Sequence, residues 1–167
     1  MSLIRSLVRP LRTRLRTTLS VAMLAGSVAA CSDITGVGGD FDYEQRRLSR
    51  ARGDWNAIFI RDYEYVVRRD CFCGWGGLAV RVTVLDDRVV ALAVESTGEP
   101  ISLAHASQYP TIDGLFARIQ DALDGRAWEV EASYDSRYGF PTDIWIDYER
   151  RAADDEVGYR MISFREL

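Results

Sequence analysis

Two cysteines one residue apart, Cys71 and Cys73, are the side chains of this sequence best suited to covalent chemistry. Thiols at that spacing can close a small disulfide, exchange it with other thiols, or hold a soft metal such as copper as thiolates. On a straight strand their Cα atoms stand about 6.6 Å apart, two strand rises, which is the upper edge of disulfide geometry. A bond therefore needs the chain to bend, and Gly74, Gly76 and Gly77 follow at once to permit it. A structural clip, or two unpaired thiols, is the plainer expectation, and a redox-active or copper-binding pair the sharper one. Zinc suits the site less, because two Cys and one His leave a ligand to a carboxylate where structural sites favour four Cys or His.

Other chemistry is thinner. His105 is the sole imidazole, and the chain holds neither a Gly-x-Ser-x-Gly elbow nor a His-Glu-x-x-His pair. The acids Asp86-Asp87 and Asp154-Asp155-Glu156 could meet calcium, but they lack EF-hand spacing and suit polar turns. No catalytic residue, cofactor or metal is therefore assigned. Trp75, Tyr138, Phe140 and Trp145 are the candidate binding patch, since Tyr and Trp join large apolar area to a polar handle.

The elements that must position these groups follow from periodicity. Leu48, Ala51, Trp55 and Phe59 recur at three and four residues, predicting a helix from about Asp42 to Phe59. Tyr63, Tyr65 and Val67 alternate with polar residues, and so do Val80, Val82 and Val84, predicting two strands around the Cys-x-Cys break. Asp86-Asp87 turns the chain into Val89–Val94, apolar on both faces and read as a central strand. Residues 96–110 read as a loop. Thr111 is an N-cap for a second helix carrying Ile112, Leu115, Phe116, Ile119 and Leu123, and Gly125 stands where a C-cap belongs. A hairpin follows: Trp128, Val130, Ala132 and Tyr134, then Tyr138-Gly139-Phe140-Pro141, then Ile144, Ile146 and Tyr148. A last strand spans Val157–Arg165.

The fold class is thus α+β, an antiparallel sheet of about six strands with two helices. Shifting the first half by about 64 residues lays helix over helix and Trp75-Gly76 near Tyr138-Gly139, so a duplicated αβββ unit, with half-repeats 41–97 and 110–167, is the working hypothesis. Duplication would set the Trp75 and Tyr138 loops at equivalent positions.

Residues 1–30 stand apart from this domain. Arg5, Arg9, Arg12, Arg14 and Arg16 form a basic start, a short apolar run follows, and Val28-Ala29-Ala30-Cys31 resembles a bacterial lipobox. The expected organisation is a lipoprotein signal peptide over 1–30, a tether over 31–40 lipidated at Cys31, and one domain over 41–167. Removing 1–30 takes five Arg and no acid from a chain of net charge −4, leaving −9. That balance argues against nucleic acid, whose affinity rests on basic residues, and leaves the acyl anchor as the hold on the membrane. With Cys31 acylated, Cys71 and Cys73 remain as an even pair in an oxidising compartment. Ser32 after the cysteine resembles lipoproteins sent on to an outer membrane, where the cell has one.

Asp62-Tyr63-Glu64-Tyr65, Cys71-Phe72-Cys73, Phe116, Tyr134-Asp135, Tyr138-Gly139-Phe140-Pro141 and Ile146-Asp147 together resemble a family of bacterial lipoproteins known as a domain of unknown function. The resemblance covers about residues 55–167 and implies no activity. The helix-plus-three-strand order is also similar to PepSY-like and β-lactamase-inhibitor-like modules, by topology alone. The sequence thus points to a lipid-anchored envelope domain, non-enzymatic, that binds an envelope protein or small ligand. The alternative is a redox or copper-handling lipoprotein acting through Cys71 and Cys73.

Overall fold

The computed structural model describes residues 37–152 and 154–167. Cys31, the signal peptide and the first part of the tether lie outside the described residues. Helix α1 (Val37–Ile58) is followed by β1 (Tyr63–Asp70), β2 (Ala79–Leu85), β3 (Arg88–Val94) and the two-residue β4 (Pro100–Ile101). After a 3-10 segment (Leu103–Gln108) come α2 (Ile112–Asp124), β5 (Glu129–Tyr134), β6 (Pro141–Asp147) and β7 (Val157–Glu166). The class is α+β as expected, but among the described residues the sheet has seven strands and there are about three helices. The additions, β4 and the 3-10 segment, both fall in the stretch expected to be a loop. Helix α1 also begins at Val37, five residues ahead of Asp42, inside the segment expected to be a tether.

All neighbours in the sheet are antiparallel, in the order β4-β3-β2-β1-β7-β6-β5. One face is buried under both helices. Tyr63, Tyr65 and Val67 meet Val84, Val82 and Val80 across β1 and β2, and these six join Leu48, Ala51, Trp55, Ile112, Leu115, Phe116, Ile119, Ile144 and Ile146 in one core. The alternation of β1 is therefore that of a central strand with one covered face. β3, read as central, lies next to the edge, with only β4 beyond it and Val90 42% exposed. Phe59, assigned to the α1 stripe, is 86% exposed, because the helix ends at Ile58 and Phe59 turns to positive φ.

Thr111 caps α2 through its side chain, which accepts from Gly114 N at 3.1 Å. A second cap comes from the sheet: Ile112 N donates to Tyr63 Oη at 2.8 Å, satisfying another amide at the helix start. At the other end Gly125 stays right-handed, and the left-handed residue is Arg126.

The element order repeats as expected, but the arrangement is not that of a rigidly duplicated αβββ unit. The strands run β3-β2-β1 and then β7-β6-β5, with β1 antiparallel to β7. Moving the first trio onto the second keeps the left-to-right order and reverses every strand direction. The only rotation that does this also turns the sheet over, which would put the two helices on opposite faces. Here α1 and α2 pack on the same face and share the core.

Candidate functional site

Strand direction decides which loops can cooperate. Asp70, the end of β1, pairs with Gly158 near the start of β7, and Val157 pairs with Ile146 near the end of β6. The β1–β2 loop therefore lies at one end of the sheet and the β5–β6 loop at the other. Trp75 and Tyr138 are separated by the length of the strands, so the four-residue aromatic patch is not assembled. Tyr138 and Phe140 pack with Phe164, and Phe140 is core. Trp75 meets the His105 ring at 4.4 Å between centroids. Trp145 alone lies on the sheet face opposite the helices, 38% exposed.

The Tyr-Gly-Phe-Pro turn serves packing. Asp135 Oδ1 accepts from Arg137 N and Tyr138 N at 2.8 and 2.7 Å, an Asx-type turn. Gly139 takes φ +82°, and an added Cβ would stand 2.5 Å from Ala51 O and 3.1 Å from Trp55 N. The turn is thus pressed onto the backbone of α1.

Cys71 and Cys73 lie at disulfide distance, with Cα atoms 5.4 Å apart, inside the usual range. The chain bends as required: Cys73 N donates to Cys71 O at 2.9 Å, and Gly76 backs directly onto that carbonyl. Arg69, on the covered-face phase of β1 with Tyr63, Tyr65 and Val67, ends at this turn. Its Nη1 lies 3.3 Å from Cys73 Sγ and donates to Gln108 Oε1 at 3.0 Å. The Gln108 amide reaches His105 Nδ1 at 3.4 Å, and the guanidinium sits over the Tyr159 ring. Among the described residues no carboxylate pairs with Arg69. Neither Arg69 nor Gln108 was singled out from sequence. The signal for Arg69 was its phase, a lone charge where β1 otherwise points apolar residues inward. Among the described residues no group of three His, Cys, Asp or Glu is placed to hold a metal.

The second candidate is the face of the sheet that no described element covers. Its centre is a row of ion pairs crossing three strands from a residue just past β3: Glu95–Arg81–Glu64–Arg165, with Arg81 Nη2 2.7 Å from Glu95 and Arg165 Nη2 3.0 Å from Glu64. Arg160 pairs with Asp143 at 2.8 Å. Toward the β5 edge the pairing stops. Trp145 lies over Gly158, where an added Cβ would meet the ring at 3.2 Å. Glu131 stands directly opposite Trp145 across the β5–β6 ladder, and Glu129 opposite Asp147. None of Glu129, Glu131 and Asp147 has an arginine within ion-pair distance among the described residues, and Asp147 Oδ1 is buried without a hydrogen-bond partner. A flat indole framed by three free carboxylates can accept a cation through both charge and ring quadrupole.

Residues 47–166 match a family described as a family of unknown function (DUF6174). Comparison with curated proteins and with solved structures returns no match.

Proposed function

The chain belongs to the family of unknown function whose match spans residues 47–166, and from that premise we propose that it is a binding module, held in the cell envelope by a lipid on Cys31, that docks a basic polypeptide on the sheet face that no described element covers. The observation that carries this reading is Trp145, exposed over Gly158 and framed by Glu129, Glu131 and Asp147. Tryptophan is enriched among residues that dominate binding energy, a cation over its face is attracted further, and carboxylates with no ion-pair partner among the described residues break no such pair on docking. Burying the paired centre of the face costs less than burying free charge. The formal charge of −9 beyond residue 30 steers a basic partner toward the domain at low salt. The membrane enters through the acyl chain, and nucleic acid is disfavoured by the same charge.

A photo-crosslinking residue at Ser133, beside Trp145 on the β5–β6 ladder, tests it in native envelopes. A discrete protein adduct is expected that disappears in Trp145→Ala and in Glu131→Arg, weakens in high salt, and is absent when the crosslinker sits at Ala117 on α2. An adduct indifferent to both substitutions would sink the reading.

A second reading rests on a different observation. The contact of Arg69 with Cys73 Sγ sets a guanidinium, without a carboxylate partner among the described residues, beside a disulfide sulfur, a setting that favours the thiolate of a reactive cysteine. The copper form of that reading lacks a third His, Cys, Asp or Glu ligand beside the pair among the described residues.

A further inference from the structure

We propose that Cys71–Cys73 is a thiol–disulfide exchange centre in which Cys71 is the sulfur attacked and Cys73 the sulfur that leaves, its thiolate held by Arg69, with cysteine pairs of polypeptides as substrates. This deepens the second reading above and rests on it.

The two sulfurs are chemically unequal. Attack on a disulfide expels the sulfur that better bears negative charge, because the lower-pKa thiol leaves faster. Arg69 Nη1 is 3.3 Å from Cys73 Sγ, whereas Cys71 has no cationic hydrogen-bond partner among the described residues. The guanidinium is held there by Gln108 and by the face of Tyr159, so it need not reorganise as charge develops. The nearest acid in sequence, Asp70, is paired with Arg68 at 3.2 Å. Both cysteines are only partly covered. Between them Phe72 is 89% exposed, an apolar side chain suited to an extended polypeptide beside the reacting sulfur.

The exchange balances without a further reagent. A substrate thiolate attacks Cys71 Sγ, a sulfur–sulfur bond forms to the substrate, and the Cys71–Cys73 bond breaks with its electron pair on Cys73. The second substrate thiolate then attacks the substrate sulfur of the mixed disulfide. Cys71 departs as a thiolate, and the two protons of the substrate thiols finish on the cysteine pair or in solvent. The substrate dithiol is oxidised to a disulfide and the Cys71–Cys73 pair is reduced by two electrons. A disulfide-bearing partner reverses these steps to reoxidise the pair.

The purified full chain is equilibrated with reduced and oxidised glutathione to obtain its exchange constant. It is separately mixed with a peptide carrying two cysteines, quenched in acid, alkylated and mapped. The mixed disulfide is expected on Cys71 and the alkyl group on Cys73. Arg69→Ala should favour the disulfide over the dithiol by about tenfold or more, the scale of a lost charged hydrogen bond. It should also shift Cys73 alkylation to higher pH, and Arg69→Lys should restore part of both effects. Circular dichroism establishes that the variants are folded. A folded wild-type disulfide that excess dithiothreitol fails to reduce overturns the exchange reading itself. A reducible disulfide with the peptide on Cys73, or an exchange constant unmoved by Arg69→Ala, leaves that reading standing and overturns the assignment of Arg69 and the leaving sulfur.

Discussion

Gly139→Ala tests the contact that fixes the β5–β6 turn against α1. Two costs add there. At φ +82° an L-residue is in left-handed space, worth about 1 kcal/mol. The new methyl would also stand 2.5 Å from Ala51 O, 2.9 Å from Asp54 Cβ and 3.1 Å from Trp55 N. Two of those atoms are helix backbone and cannot swing aside, so the turn must lift, at about 1–3 kcal/mol for overpacking. The expected loss is about 2–4 kcal/mol, a large share of the roughly 5–15 kcal/mol typical of a domain. Gly98→Ala separates the terms, since Gly98 has φ +71° with nothing within 4 Å of its would-be Cβ, and should lose only about 1 kcal/mol. Gly53→Ala, inside α1 with open space around it, should gain up to about 1 kcal/mol. Urea unfolding followed by tryptophan fluorescence reads all three, because Trp55 lies beside the contact. Equal losses for Gly139→Ala and Gly98→Ala, with unchanged m-values, would refute the claim that the approach to α1 constrains the turn.

Two further outcomes are expected. Cys31→Ser should abolish labelling of the chain by an alkyne fatty acid, and a version with a cleavable secretory leader should leave the membrane fraction; retention through carbonate washing would argue against lipid anchoring. Burial pushes the phenols of Tyr63, Tyr65, Tyr109 and Tyr134 upward. A folded pKa above the unfolded value of about 10 makes stability complete below that pH and lost as pH rises beyond it. The melting temperature should therefore hold to about pH 10 and then fall, with these phenolates appearing at 295 nm only as the domain unfolds. All eight tyrosines ionising near pH 10 in a folded protein would contradict their burial.

Much of the fold was legible because it is local. The alternation of Tyr63–Tyr65–Val67 with polar neighbours, the Thr111 cap, the Asp86-Asp87 turn and the glycine of the β5–β6 turn each encode conformation within a few residues. The near-edge position of β3 was not legible: six apolar or small residues, Val89–Val94, fit a buried strand and a near-edge strand equally well, and only pairing partners distinguish them. The site divides in the same way. Sequence spacing presented the Cys71–Cys73 pair, and even the inward phase of Arg69. It could not bring Gln108, thirty-nine residues on, to Arg69, nor set Tyr63 Oη on the amide of Ile112. It equally could not tell that the Trp75 and Tyr138 turns lie at opposite ends of the sheet. That depends on β5 running opposite to β1, which follows only once β1 is laid antiparallel to β7 and β7 is joined to β5 through the antiparallel β6. Periodicity is a property of neighbours along the chain. Which face stays open, and which carboxylates surround Trp145 on it, is decided only when distant strands are laid side by side.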